Sequence, residues 1–276
     1  MGQKSNPNSL RLLNSCYKGY SYWDNSAFNY IIQNIEKMLA ACCKNTNVYL
    51  NDNNIVLSHD LIFIEMNILH FYNSRRNIVS KRFTSNKLKQ NSNVVLSWNL
   101  VLRRLYFCTT LILKFTGLKR VNIKINRTIV HSRVLPKTVR QKTSFYVKRY
   151  NRAKYDYARI GIKLLFLTLK NKTSVKTLIN FIRKNIRTRS RRKKHMDFLK
   201  FLKHCFDNLD QNKVIKGIKL QIRGRFGHKP KGRSKTWKYQ LGTMPLNKLN
   251  ASIYYNYDQA QTKLGSVGIK AWIYAQ

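Results

Sequence analysis

Between Ala27 and Cys43 the apolar residues Phe28, Ile31, Ile32, Ile35, Met38, Leu39 and Cys42 recur at helical spacing, with Asn25 or Ser26 placed to cap the first turn. The spacing predicts an amphipathic helix. The pattern then shortens into the runs NVYL and NIVL and the longer LIFIEMNILHFY (61–72), separated by Asn and Asp as strands are by turns. Residues 73–89 carry Arg75, Arg76, Lys81, Arg82, Lys87 and Lys89 with no acid, the composition of a basic polar loop. The most hydrophobic stretch, Val94 to Phe115, is long enough to span a membrane, but Arg103 and Arg104 sit at its middle. Each would cost about 2.5–3.5 kcal/mol there, so a buried helix of a soluble domain is expected. In KRVNIKINR, Val121, Ile123 and Ile125 alternate with polar neighbours as in a half-buried strand. Helix, two strands, helix and strand make a small α+β layer over 27–127.

From His131 to Lys172 the period is lost. HSRVLPKTVRQKTSFYVKRYNRAKYDYARIG is basic and tyrosine-rich, and IKLLFLTLK suits a strand as well as a helix. Beyond it Val175, Leu178, Ile179, Ile182 and Ile186 form one helical face, with Lys176, Arg183, Lys184 and Arg187 away from it. The run RTRSRRKKH (187–195) leads into another amphipathic helix, with Leu199, Leu202, Phe206 and Leu209 inward and Lys200, Lys203 and His204 outward. Four alternating sets follow: Ile218, Leu220, Ile222; Trp237, Tyr239, Leu241; Leu249, Ala251, Ile253, Tyr255; and Val267, Ile269, Ala271, Ile273. They predict four strands. The expected fold class is therefore α+β in two domains: an extension 1–26, an α+β domain 27–130, a basic insertion 131–172, and an α+β domain 173–276 with a four-stranded sheet.

Charge changes the picture most. The 276 residues include 54 Lys and Arg against 10 Asp and Glu, a formal net charge of +44. A compact chain so charged repels itself, so the working state calls for a dense polyanion, nucleic acid before an anionic membrane surface. With 43% hydrophobic and 12% aromatic residues there is material for packed cores as well. The five cysteines form no C-x-x-C pair and have no histidine at ligand spacing, so buried free thiols are expected, with no metal and no cofactor. Asn is about a tenth of the chain, and Ile, Lys, Tyr and Phe are plentiful. These residues share A/T-rich codons, which suggests an organellar genome. The opening MGQKSNPNSLRLL lacks the apolar core of a secretory signal and the arginines of a transit peptide, so no cleaved leader is expected.

The cations gather in two places. After Asp210 no acid occurs until Asp258, and the hairpin between holds Arg223, Arg225, Lys229, Lys231, Arg233, Lys235 and Lys238. Gly224, Gly227 and Gly232 would let a bulky partner approach, and Phe226, His228 and Trp237 offer rings to exposed bases. Alternation with Tyr239 and Leu241 equally suits Trp237 to the core. The second cluster is Arg183, Lys184, Arg187, Arg189, Arg191, Arg192, Lys193, Lys194, Lys200 and Lys203. Phosphate is the natural counterpart of both.

At these residues a resemblance enters. KGIKLQIRGRFG, TW, MPL and LNASIYYNYDQAQTKLGSVGIKAWIY, in this order and spacing, resemble the C-terminal domain of the small-subunit ribosomal protein S3 family, and MGQKSNPNSLRL and YWDN resemble its N-terminus. The resemblance implies a two-domain constituent of the head of the small ribosomal subunit, with an N-terminal type II KH-like domain. It implies contacts with small-subunit rRNA, with neighbouring ribosomal proteins, and with mRNA at the channel by which it enters. It places Lys200 and Lys203 at that channel, and Lys4 and Arg11 join the RNA-facing candidates with Arg75, Arg76, Lys81 and Arg82. Between Gly19 and Gly117 there is no glycine, so the G-x-x-G loop by which KH domains hold single strands is missing and the KH-like domain is degenerate. With the A/T-type composition, the expected setting is the mitochondrial matrix and its ribosome, ahead of a plastid or a bacterial cytoplasm. Neither a membrane span nor a homo-oligomer is expected.

Two rival classes are set against this. A metal-dependent nuclease needs convergent carboxylates, but Asp197, Asp207 and Asp210 read as helix-surface charges, and His195 and His204 lie beside lysines as surface or RNA-facing groups. No enzymatic activity is expected. A free organellar nucleoid protein is the alternative, since charge alone does not distinguish DNA from RNA.

Overall fold

The computed structural model describes residues 6–8, 11, 26–43, 46, 48–57, 60–71, 98–130, 134–150, 157–188, 192–209, 215–226 and 233–275. The chain divides into two compact units, Tyr20–Val134 and a second made of Met1–Gly19 with Leu135–Gln276.

The first unit is α1 (Ser26–Cys42), β1 (Val48–Leu57), β2 (Leu61–Phe71), α2 (Trp98–Thr116) and β3 (Arg120–Val130). Its sheet runs β1-β2-β3, with β2 antiparallel to β1 and parallel to β3. The runs NVYL and NIVL lie on one strand, β1, in which a register shift between Leu50 and Asp52 absorbs an extra polar residue. Ile62, Ile64, Met66 and Ile68 alternate onto the core face, where Ile35 and Leu39 of α1 and Val101, Leu105 and Ile112 of α2 cover them. The helix expected to be buried is buried along that stripe alone: Tyr106, Phe107 and Leu111 are exposed, as is Arg103. A helix lying on one sheet face has one dry stripe, which is how it tolerates the arginines at its middle. Arg104 Nη1 donates to the Cys42 carbonyl at 3.3 Å, and Cys42 and Cys108 meet Sγ to Sγ at 2.8 Å, both joining α1 to α2. Cys42, Cys43, Cys108 and Cys205 are free and buried.

The main segment of the second unit starts at Leu135, ahead of the expected 173. Much of the segment set apart as an insertion is two helices of this unit, α3 (Lys137–Tyr150) and α4 (Tyr157–Leu169), followed by α5 (Val175–Thr188) and α6 (Arg192–Leu209). IKLLFLTLK proves to be helix. Its unbroken apolar run carries no period because α4 is enclosed on nearly every side, with Leu164, Leu165, Phe166 and Leu169 all buried. Gly161 permits this enclosure, since a Cβ there would stand 2.8 Å from Phe181 Cζ and 3.1 Å from Phe201 Cε1. Asn171 ends the helix with a φ of 52°, and Ser174 Oγ caps α5 by accepting from the Thr177 amide.

Four strands complete the unit: β4 (Gly217–Gly224), β5 (Lys235–Gly242), β6 (Ile253–Thr262) and β7 (Gly265–Tyr274), antiparallel throughout in the order β5-β4-β7-β6. The strand expected from Leu249 starts at Ile253, and Leu249 is exposed in the turn before it. Leu220, Ile222, Ile269, Ala271 and Ile273 make the face that α5 and α6 cover. On β6 that face also carries Asp258, whose carboxylate accepts from Arg183 of α5 at 2.7 Å.

Candidate nucleic-acid interface

Strand pairing sorts the basic hairpin into two surfaces. On the face opposite the helices the register makes three rows across β5, β4, β7 and β6: Gln240, Lys219, Trp272, Tyr255; then Lys238, Gln221, Lys270, Tyr257; then Thr236, Arg223, Gly268, Gln259. No carboxylate stands in these rows. Arg223, Lys238, Lys270 and Tyr257 are exposed. Lys219 Nζ lies 5.5 Å from the Trp272 ring centroid, Tyr255 packs on Trp272 at 5.2 Å, and Tyr257 stacks on Tyr255 at 6.2 Å. Burial and the neighbouring Tyr257 raise the Tyr255 hydroxyl above its usual range, so it stays neutral. Sequence reading missed Lys219, Tyr255, Tyr257, Lys270 and Trp272. The signal was present for Lys219, Lys270 and Trp272, which are out of phase with the apolar alternation of β4 and β7 and so share the other face; on β6 the alternation misled, because Ile253 and Tyr255 pair with Tyr274 and Trp272 on this outer face.

On the helix side, Lys235 and Trp237 follow the phase of the core. Trp237 is half-buried and stacks on Tyr239 (6.1 Å), which stacks on Phe206 (5.4 Å) and donates its hydroxyl to Asp207 at 2.7 Å. This column gives Trp237 a packing contact, the plainer of the two roles its alternation suited, while its ring stays half-exposed. Gly224 has a structural reason too: a Cβ there would stand 2.7 Å from Val267 Cγ2. Arg225 is half-buried, whereas Arg233 and Lys235 are exposed. His228, Lys229 and Lys231 lie outside the described residues.

The second cluster divides as well. Arg187, Lys200 and Lys203 are exposed, Arg183 is committed to Asp258, and burial lowers the ammonium pKa of the half-buried Lys184. The side chains of Arg192, Lys193 and Lys194, and all of Arg189 and Arg191, fall outside the described residues. His195, expected at the surface, is buried: Nε2 meets the Ile186 carbonyl oxygen at 3.0 Å and the ring sits edge-on to Phe226. It ties α6 to α5.

At the N-terminus Lys4 is not described, but Arg11 is, and it is 5% exposed. Its guanidinium donates to the carbonyls of Pro7, Leu246, Lys248 and Ala251, and Asn8 Nδ2 donates to the Tyr255 carbonyl. Arg11 leaves the set of RNA-facing candidates, since its donors are spent inside the protein.

In the first unit Arg75, Arg76, Lys81 and Arg82 lie outside the described residues. What is described there is an unforeseen cation and ring group: Arg127 lies 4.4 Å over the Trp98 ring and donates to His70 Nδ1 at 2.6 Å. Burial, and then the nearby Arg127 charge, lower the His70 pKa, which keeps that nitrogen an acceptor.

Residues 188–273 match the family model for the ribosomal protein S3 C-terminal domain, the span that holds α6 and all four strands. This stretch is similar to the C-terminal domain of ribosomal protein S3. A small ribosomal subunit protein uS3 of Salinispora tropica is 42% identical over 64 residues, 23% of this chain and 22% of the relative's length. A uS3c of Chlamydomonas moewusii is 37% identical over 81 residues but covered for only 10% of its length. A uS3c of Euglena longa aligns along 99% of both chains at 26% identity, extending the similarity across the first unit. The rows of lysine, arginine and tyrosine thus lie on the sheet of an S3-type domain.

Proposed function

We propose that this protein is a non-enzymatic structural constituent of a small ribosomal subunit, held on ribosomal RNA by the cations of its S3-type domain. The observation that carries this is the outer sheet face, where Arg223, Lys238 and Lys270 stand exposed with no carboxylate among them, in a domain of S3 type. Lys and Arg so placed release counterions condensed on phosphate and demand little of base sequence. The exposed Lys200 and Lys203 on α6 would serve mRNA at the channel by which it enters, and the first unit, α-β-β-α-β in order, would be the KH-like domain of the subunit head. Relatives named uS3c in Euglena longa and Chlamydomonas moewusii support an organellar ribosome, plastid or mitochondrial.

Sedimentation of a lysate through a gradient tests the proposal: the chain should travel with small-subunit RNA at moderate salt. Gln at Arg223, Arg233, Lys235 and Lys238 together should abolish that, whereas Gln at Lys200 and Lys203 should leave assembly intact and impair mRNA loading. Recovery on chromosomal DNA, with small subunits devoid of the chain, would establish the nucleoid reading in its place.

A further inference from the structure

We infer that the outer face of the S3-type sheet is a site for an unpaired nucleotide, whose base lies over the bare backbone of Gly268 beside Tyr257 while the adjoining phosphates meet Arg223, Lys238 and Lys270. This deepens the RNA-binding reading above and rests on it.

Gly268 is the starting point. It sits within β7, an interior strand between β4 and β6, where glycine weakens a sheet through added chain entropy and an absent side chain. The fold gives no reason for it. Its φ lies outside the left-handed region, and the nearest atom to an added Cβ would be the Arg223 carbonyl oxygen at 3.9 Å, an ordinary contact. Gly217 and Gly224 of the adjacent strand differ, since a Cβ there would collide with the Thr243 main chain or with Val267. A glycine that packing does not require, exposed on an interior strand, leaves a flat floor that another molecule can approach closely.

The surroundings specify the occupant. Tyr257, 64% exposed, stands one row away on β6 directly across from Lys270, with its ring steadied by the stack on Tyr255. Arg223 is directly across from Gly268 on β4, and Lys238 lies beyond Gln221 in the row of Lys270. The single acid of the four strands that lies near, Asp258, points to the opposite face and is bound by Arg183. Rings with a flat floor suit a base, and cations without acids suit phosphate. A duplex keeps its base faces stacked inside, so this combination selects single-stranded or bulged RNA.

The test uses the full chain and fluorescence anisotropy with an oligouridylate of about ten nucleotides, set against an RNA duplex of the same length, at salt high enough to suppress diffuse binding. Tyr257→Ala should weaken single-strand binding about tenfold while changing duplex binding by less than about twofold. Gly268→Val should weaken it similarly while its thermal midpoint holds or rises, and Lys270→Gln should lower the salt slope by about 0.7. Unchanged single-strand affinity in Tyr257→Ala overturns the inference, whatever the fate of Gly268→Val. If that variant also fails to enter subunits, the face docks a protein and not RNA. A wild-type chain that never joins small subunits sinks the broader proposal instead, so the two failures are separable.

Discussion

Arg11 shows how far a residue's role departs from its type. In a chain with this charge any arginine is a candidate for phosphate, yet this one bonds four main-chain carbonyls and joins the N-terminal segment to the 246–251 turns. Charged hydrogen bonds contribute about 1.5–3 kcal/mol each where measured, and carbonyls stripped of a donor in a buried seam add their own penalty. Arg11→Ala should therefore destabilise the second unit by about 3 kcal/mol, read as a shift in the denaturation midpoint, while the salt slope of RNA binding in the remaining folded protein stays the same. A drop in that slope would return Arg11 to the RNA surface. His195 makes the same point: its place beside lysines suggested an RNA-facing group, and its buried ring is spent on packing against Phe226 and a bond to the Ile186 carbonyl.

At the scale of elements, two glycines should answer substitution with opposite signs. Gly161→Ala gains about 1 kcal/mol of helix propensity, but its methyl would press on Phe181 and Phe201, both fully buried and without room to retreat. Overpacking of this kind costs about 1–3 kcal/mol, so the clash wins and the unit should lose stability in chemical denaturation, unlike Gly268→Val. The same scale shows what periodicity conveyed. Helices α1, α5 and α6 and the strands β2, β3, β4 and β7 were legible because each has one wet side, which writes a period into the chain. Helix α4 was illegible for the converse reason, and the 131–172 segment passed for an insertion. The candidate site was half legible: the hairpin cations stood out as a run, but the partners that β6 and β7 supply come from residues far along the chain.

For the whole molecule the +44 charge sets opposing responses to salt. Screening relieves self-repulsion in the free protein, so its thermal midpoint should rise as salt is added from low ionic strength. The same salt competes for phosphate, so affinity for small-subunit RNA should fall linearly on logarithmic axes. Both are measured on one preparation, by thermal unfolding and by filter binding. A midpoint that fell with salt would mean that the charges are already balanced within the fold.

By itself the sequence determined the α+β class, most of the elements and the demand for a polyanion, because period and net charge are sums over neighbours along the chain and survive without a third dimension. Tertiary structure decided which cations face outward, which close a seam, and where Tyr257 and Lys270 come beside Arg223 and Lys238. Those outcomes depend on strand register and burial, which arise between segments distant in sequence, and no local pattern encodes them.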